Sequence, residues 1–268
     1  MTRLLHLSDP HFGAADEATA RSFLDCAAEL APDLTVLSGD LTMRARRSEL
    51  AAAKSFVDQL PQPHFVIPGN HDIPAFNQPF DRVFRPFRRY RETFGPDLEP
   101  ILRKGSIEIV GLNSSRGIGP QLDWSKGILS QAQLQRAASR FASPSPGLRI
   151  LTLHHPLLAP PDHRRDVVKP LPALVSLLTA SHVDLVLCGH FHQSLIGIVG
   201  KDAKWSTIVS QAPTVCSTRL QGEPPGFHMI HHDGDSLRIV LHRFDQTRFI
   251  ECSVMDFRRA GTGWQPIS

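Results

Sequence analysis

The sequence predicts an α/β protein with a parallel β-sheet. In the first half of the chain, short apolar runs alternate with longer amphipathic segments, as in proteins built from strand–helix–strand units. Five apolar runs end in polar turns that carry Asp, Asn or His. From about residue 195 onward the runs are short and broken by Gly, Pro and Asp, which predicts antiparallel strands closing a second sheet.

Each element is predicted from its local pattern. Compact apolar runs indicate buried strands at residues 4–7, 34–37, 65–67, 107–112, 148–153 and 184–188, and shorter strands at 195–199, 205–209, 227–231 and 237–241. Helix-like composition and apolar spacing predict helices at 17–30, 48–60 and 130–141, the last with Ser130 as N-cap. Phenylalanines at helical spacing predict a helical region at 75–94, kinked or split at Pro86.

Length and composition exclude several classes of protein. A chain of 268 residues can bury a large core without disulfides or a structural metal. With 21% charged residues, 41% hydrophobic residues and a net charge of +3, it is neither disordered nor a membrane protein. The first residues lack the apolar core of a secretory signal, so we expect a cytoplasmic protein. No segment has the composition of a linker, which favours one domain over 1–268.

The cysteines form no metal-binding or redox motif, whereas the number of histidines is unusual. Cys26, Cys188, Cys216 and Cys252 lie far apart without CxxC spacing, so we expect buried, reduced thiols. Fourteen histidines stand against a single tyrosine. Histidine is the commonest metal ligand and the acid–base group of neutral pH, so the positions of these residues decide their meaning.

The predicted strand ends carry a set of polar side chains that suit metal ions. In an open α/β sheet, ligands bind beyond the carboxyl ends of the strands. The loops there supply only nitrogen and oxygen donors, from Asp9, His11, Asp40, Asn70, His71, His154, His190 and His192. Carboxylate and imidazole together suit Mn, Fe, Zn or Co.

The number of donors indicates two ions. A tetrahedral zinc takes three or four protein ligands, which is fewer than this set offers. Two ions about 3.5–4 Å apart need a bridging anion that offsets their repulsion. A carboxylate on a central loop can bridge, and Asp40 is the candidate.

These motifs resemble those of the calcineurin-like metallophosphoesterases. That family carries DxH, GD, GNH(D/E), a single His and GHxH in this order. The corresponding residues are Asp9-Pro10-His11, Gly39-Asp40, Gly69-Asn70-His71-Asp72, His154 and Gly189-His190-Phe191-His192. The match runs from residue 9 to residue 192, and five blocks in order are far more specific than any one of them.

The resemblance implies a fold and a role for each residue. The fold is a four-layer αββα sandwich of two mixed β-sheets flanked by helices. The first metal is held by Asp9, His11 and His192, the second by Asn70, His154 and His190, and Asp40 bridges both. His71 is not a ligand but faces the phosphoryl group, where an imidazolium can stabilise charge or protonate the leaving alkoxide. His154 is preferred over His155 on the family pattern alone.

The resemblance also implies the chemistry. Two divalent ions, Mn, Fe or Zn, hold a hydroxide that attacks the phosphorus in line. The motifs look most like those of bacterial cyclic-nucleotide and glycerophosphodiester phosphodiesterases, so we expect a small diester as substrate and no membrane or nucleic-acid partner. A nuclease or phosphomonoesterase of the same fold is the alternative. A non-catalytic scaffold is a further alternative, against which the complete ligand set argues.

Several residues keep two interpretations. Asn113 and Arg116 either reach a substrate phosphate or belong to a solvated loop, and His155 either contacts substrate or packs behind the metals. The arginines between residues 82 and 91 favour a solvated face over a nucleic-acid surface. The Phe-rich segment either packs in the core or pairs two chains, and residues 163–165 are placed as a lid.

Overall fold

In the computed structural model the chain forms two β-sheets that pack face to face, with helices on both outer sides. The structure describes residues 1–118, 125–143, 147–159, 167–200 and 204–267. Within these ranges, every helix is too short or too polar to cross a membrane. The hypothesis of a lid at 163–165 lies outside the described residues.

The elements follow one another along the chain in this order. They are β1 (Thr2–Leu7), α1 (Glu17–Leu30), β2 (Leu34–Leu37), α2 (Arg47–Gln59), β3 (His64–Val66), α3 (Pro79–Phe84), α4 (Arg88–Phe94), β4 (Ile101–Lys104), β5 (Ile107–Gly111), α5 (Gln131–Arg140), β6 (Leu148–Thr152), α6 (Leu171–Ala180), β7 (Leu185–Cys188), β8 (Leu195–Val199), β9 (Thr207–Gln211), β10 (Gly226–Asp233), β11 (Ser236–Phe244), β12 (Phe249–Ala260) and β13 (Gly263–Ile267).

Both sheets are mixed. The first has the order β13-β12-β11-β10-β1-β2-β3, in which β1, β2 and β3 are parallel and β10 runs antiparallel to β1. The second has the order β4-β5-β6-β7-β9-β8, with a parallel centre of β5, β6, β7 and β9 and antiparallel strands at both edges. The carboxyl ends of the parallel strands in each sheet therefore meet at one edge.

Three apolar cores hold the layers together. Side chains such as Leu4 and Phe65 from the first sheet meet Ile150 and others from the second. Alternate residues of the same strands, such as Leu5, point outward and pack under α1, α2 and α4, while Leu151 and its neighbours pack under α5 and α6. The αββα sandwich implied by the resemblance is thus confirmed.

Most predicted elements are present, and the helical region at 75–94 is split around Pro86 into α3 and α4. Ser130 caps α5, since its hydroxyl accepts from Gln133 N while Gln133 reaches back to Ser130 N. Helix α6 has no counterpart in the sequence-based elements, because it is apolar almost throughout and lacks polar–apolar periodicity.

The expectation that all the later strands close a second sheet is wrong in part. Only β8 and β9 join that sheet, and β9 runs parallel to β7. Strands β10 to β13 extend the first sheet instead, because β2 occupies one side of β1 and the other side needs a partner. The expectation of buried thiols also fails for Cys252, which is exposed on β12, and for Cys26, which is half-buried; all four cysteines are free.

Candidate metal centre

The loops that follow β1, β2, β3, β6 and β7 meet at the carboxyl edge of the two sheets. In these loops five of the candidate metal ligands have a left-handed backbone, with positive φ at Asp9 (54°), His11 (50°), Asp40 (52°), His190 (82°) and His192 (57°). This conformation costs an L-residue about 1–2 kcal/mol. Such strain persists only where surrounding contacts hold the backbone, and it is concentrated at functional sites.

Two glycines allow the loops to come close together. A Cβ on Gly69 would collide with the backbone nitrogen and the carboxylate of Asp40. A Cβ on Gly189 would collide with the hydroxyl of Ser8 and a carboxylate oxygen of Asp9. Each glycine therefore brings its own loop against the loop of a carboxylate from another strand.

The first group of donors consists of Asp9, His11 and His192, all buried. The Nε2 atoms of the two histidines are 2.9 Å apart, and they lie 3.5 and 3.3 Å from Asp9 Oδ1. Nδ1 of His192 donates to the carbonyl of Arg219 at 2.6 Å, which leaves Nε2 as a lone-pair donor. Three donor atoms thus converge on one point.

The second group consists of Asp40, His154 and His190, with Asn70 beside it. His154 Nε2 lies 3.2 Å from Asp40 Oδ2 and 3.3 Å from His190 Nδ1. His190 Nδ1 is 3.2 Å from the amide oxygen of Asn70. Nδ1 of His154 donates to the carbonyl of Ser38 at 2.9 Å, so Nε2 presents the lone pair when the ring is neutral, as a metal ligand must be.

Asp40 stands between the two groups. Its Oδ2 lies 3.6 Å from Nε2 of His11 in the first group and 3.2 Å from Nε2 of His154 in the second. Its Oδ1 accepts the backbone N–H of His71 at 2.8 Å. One carboxylate oxygen therefore faces both groups, which is the position that a bridging ligand occupies.

The electrostatics of these residues fit cations. Burial would raise the pKa of Asp40, but the charge of His154 and then of His71 outweighs it and lowers that pKa below its ordinary value. Burial opposes charge on His154 as well, yet Asp40 and Asp9 raise its pKa to about 9. Asp9 Oδ1 is buried and has no hydrogen-bond donor among the described residues. The carboxylates therefore require positive charge beside them, and the donor set suits divalent transition metals.

His71 borders this centre. Its ring lies 4.8 Å from the His11 ring, and its Nδ1 donates to the carbonyl of Met43 at 2.8 Å, so Nε2 faces away from that carbonyl. Burial lowers the pKa of His71. A cavity of about 390 Å³ opens here, lined by Asp40, Asn70, His71, Ser125, His190, Phe191, His192, Gln193, Arg219 and Gln221.

Comparison with known families agrees with this arrangement. Residues 2–194 match the calcineurin-like phosphoesterase family. The chain belongs to this family. The match contains every residue of both donor groups, Asp40 included, and also His71.

Curated phosphodiesterases are similar over parts of the chain. A probable cyclic nucleotide phosphodiesterase of Synechococcus sp. is 30% identical over 179 residues, which cover 62% of this chain and 60% of that protein. A cAMP/cGMP dual specificity phosphodiesterase of Mycobacterium tuberculosis is 28% identical over 254 residues, covering 85% and 75%. A probable glycerophosphodiester phosphodiesterase of Arcobacter nitrofigilis is 31% identical over 171 residues, covering 60% and 57%. The alignments with the Synechococcus and Arcobacter proteins thus span less than two thirds of the length of those relatives.

Two solved structures share this architecture. A purple acid phosphatase from yellow lupin superimposes with a TM-score of 0.66 at 14% identity, over 94% of this chain and 53% of that one. A Vps29 of Entamoeba histolytica superimposes with a TM-score of 0.53 at 14% identity, over 96% and 100%. At these identities the likeness shows the fold alone.

The three candidate substrate residues make contacts with the protein itself. Both ring nitrogens of His155 are engaged, by Ser114 Oγ at 2.8 Å and by the carbonyl of Ser125 at 3.0 Å, and the residue is fully buried. Arg116 donates to Gln133, and Asn113 accepts the N–H of Ser115. The described residues that line the cavity do not include Asn113, Arg116 or His155.

The arginines from α3 to α4 form a solvated face only in part, since Arg85 and Arg91 are exposed whereas others contact the protein. Arg82 is only 4% exposed, donates to the carbonyl of Pro74 and lies 4.2 Å from the ring centre of Phe76. Arg88 and Arg89 both reach Asp81 at 3.3 Å. The phenylalanines of this segment differ in burial: Phe87 is buried, whereas Phe76, Phe80 and Phe84 are exposed.

Sequence reasoning missed Arg219, which lines the cavity. It lies in the loop between β9 and β10, and β9 is parallel to β7, so its carboxyl end points to the same edge as the other loops. The sequence signal for this loop is the apolar run at 205–209, for which the pattern predicts an antiparallel strand. As a parallel strand it would have added its following loop to the site.

Proposed function

We propose that this phosphoesterase is a dinuclear metal-dependent phosphodiesterase that hydrolyses a small phosphodiester. The observation that carries the proposal is the single oxygen, Oδ2 of Asp40, that faces both donor groups beside His71. The names of the curated relatives, which are cyclic nucleotide and glycerophosphodiester phosphodiesterases, support diester substrates of these two classes.

In this proposal the ligands keep the roles that the sequence suggested. Asp9, His11 and His192 hold one ion, Asn70, His154 and His190 hold the other, and Asp40 contacts both. When bound, two divalent ions of Mn, Fe or Zn polarise the phosphoryl oxygens and supply a nucleophile at neutral pH. Carbonyl acceptors on Nδ1 of His154 and His192 fix those rings with Nε2 toward the centre.

His71 acts on the leaving group. Its Nδ1 is committed to the carbonyl of Met43, so proton exchange with substrate takes place at Nε2. Protonated there, the ring can donate to the departing alkoxide oxygen. Since the metals supply most of the electrostatic stabilisation, removal of Asp40 is expected to be more damaging than removal of His71.

The space beside His71 favours a diester over a monoester. A second cavity, of about 430 Å³, also has His71 in its lining, together with Met43, Arg44, Ile73, Ala75, Phe76, Asn77 and Arg82. The ring of His71, which in this proposal faces the phosphoryl group, lines both cavities. A diester carries two organic substituents, one of which leaves, and two cavities provide room for both.

The test is hydrolysis by protein reconstituted with Mn. The substrates are bis-p-nitrophenyl phosphate, p-nitrophenyl phosphate, cyclic AMP and glycerophosphodiesters. We expect the diesters to be hydrolysed fastest and the activity to disappear in Asp40→Asn, with a lower metal content by elemental analysis. Asp25→Asn, an exposed position on α1, changes the net charge equally and should retain activity.

Other outcomes would replace the proposal. Faster hydrolysis of p-nitrophenyl phosphate than of any diester would indicate a phosphomonoesterase. Metal-loaded protein that hydrolyses none of these substrates, or activity that survives in Asp40→Asn, would contradict the proposed function.

A further inference from the structure

Arg219 lies beside the proposed centre, where the described residues offer it no acidic partner. Its side chain is half-buried and lines the cavity together with Asp40, Asn70, His71 and His192. Among the described residues, no carboxylate lies within ion-pair distance of its guanidinium. Other half-buried arginines of the chain do have such partners: Arg243 meets Glu223 at 2.9 Å and Arg259 meets Asp184 at 3.0 Å.

Within the part of the chain that the structure describes, the contacts of the guanidinium leave most of its donors unused. Nη1 lies 3.4 Å from His71 Nε2 and 3.7 Å from Met43 Sδ. Both distances are long, and neither partner carries negative charge. A guanidinium has five N–H donors in a fixed plane, so the group can also donate to an anion in the cavity.

The backbone of Arg219 fixes the side chain next to the metal ligands. Its carbonyl accepts the Nδ1–H of His192 at 2.6 Å, and its N–H donates to Ser217 Oγ at 3.1 Å. Both contacts use main-chain atoms of Arg219. A substitution of the side chain therefore leaves the support of His192 in place.

We infer that Arg219 binds a non-bridging phosphoryl oxygen of the substrate. This inference rests on the proposed function, since it places the phosphate in the cavity at the metal centre. Arginine suits phosphate because two parallel N–H groups can donate to two oxygens of the same group. Arg219 is then a substrate-binding residue on the side of the phosphate where His71 stands, contributed by the loop after β9.

The binding of inorganic phosphate tests this directly. Metal-loaded protein is titrated with phosphate in a calorimeter, with the metal content of each variant measured beforehand. Loss of a charge-assisted contact is expected to weaken phosphate binding roughly 10- to 100-fold in Arg219→Gln and in Arg219→Met. Arg258→Gln, at an exposed arginine on β12, removes the same charge far along the first sheet and should bind phosphate like the unchanged protein.

A second background separates phosphate binding from an effect through His71. If Arg219 acted only by holding the His71 ring, Arg219→Gln would have no further effect in a His71→Asn protein. We expect the same fold-loss in that background as in the unchanged one. The inference would be overturned by an unchanged dissociation constant for phosphate in either metal-loaded single variant. It would also be overturned if Arg219→Gln left that constant unchanged in the His71→Asn background.

The phosphate titration does not depend on turnover. If no diester is hydrolysed but phosphate binds and Arg219→Gln weakens it, the proposed substrate is wrong and the role of Arg219 stands. If diesters are hydrolysed with unchanged kcat/KM by Arg219→Gln, the function stands and the role of Arg219 fails.

Discussion

At the scale of single residues, the buried carboxylate of Asp72 connects two of the ligand loops. It accepts the backbone N–H groups of Gly69 at 2.8 Å, Thr42 at 2.9 Å and Leu41 at 3.2 Å, and the hydroxyl of Thr42 at 2.9 Å. The loop that carries Asp40 is thereby held to the loop that carries Asn70.

Asp72→Asn replaces one acceptor oxygen by an NH₂ donor that faces N–H groups. We expect a loss of about 1–3 kcal/mol in the free energy of unfolding, because buried donors lose their acceptor. Urea denaturation of the metal-free protein measures it. Asp25→Asn on α1 serves as the control, and a difference below about 0.5 kcal/mol between the two variants would contradict this role for Asp72.

Residue identities at this site were predictable only where a strand end was recognised. Asp9, Asp40 and His190 follow apolar runs that are recognisable as strands. Because the carboxyl ends of parallel strands lie at the same edge of a sheet, these three residues could be expected to converge. The contacts of His155 depend on Ser114, which is distant in sequence and near only in the fold. Arg219 required knowledge of the direction of β9.

At the scale of elements, the glycine turns determine how closely the strand-end loops approach. Gly69→Ala would place a methyl group against the backbone of Asp40, which cannot move like the end of a flexible side chain. We expect lower occupancy of the metal site around Asn70, lower thermal stability, and loss of activity. Elemental analysis and a thermal melt measure the first two.

Gly261→Ala is the matched control, since a Cβ there meets no atom within 4 Å. Equal metal content and equal melting temperatures for the two alanine variants would show that the close approach at Gly69 is unimportant.

The elements themselves were largely predictable, and their partners were not. Strands β1, β2 and β3 can be predicted because each is a compact apolar run followed by a polar turn. Nothing local in β10 states that it pairs with β1 rather than with a strand of the second sheet. That choice depends on which side of β1 is left open after β2 has paired, which is a property of the assembled sheet.

At the scale of the whole molecule, a chain of buried histidines and serines joins the two sheets. His6 on β1 contacts Ser210 on β9 at 3.1 Å, and Ser210 contacts His228 on β10 at 2.8 Å. The outer ring nitrogens reach Ser38 at 3.0 Å and Ser194 at 2.8 Å. Burial, followed by the charge of His242 and Arg243, lowers the pKa of His228 to about 3, and burial lowers that of His6 as well.

Because of these histidines, we expect the free energy of unfolding to decrease as the pH is lowered. Between about pH 6.5 and 3 the unfolded chain binds a proton at His228 that the folded chain does not, so acid favours unfolding. By pH 5 this one group lowers the free energy of unfolding by about 2 kcal/mol. In His228→Asn the loss between pH 7 and pH 5 should be smaller by that amount.

Urea denaturation of metal-free protein at the two pH values checks this prediction, and the comparison with the unchanged protein removes the contribution of the other histidines. Equal losses in both proteins would mean that His228 is protonated without cost in the folded state.

The left-handed backbone at Asp9, His11, Asp40, His190 and His192 bears on how the protein acquires its ions. These conformations are stabilised by hydrogen bonds of the folded loops, such as Asp9 N to Gly39 O and His11 N to Asp40 O. These hydrogen bonds join main-chain atoms only, so we expect them to keep the donor atoms together when no ion is bound. Removal of the ions by a chelator should therefore leave the protein folded. Addition of any of several divalent metals should then restore activity without renaturation.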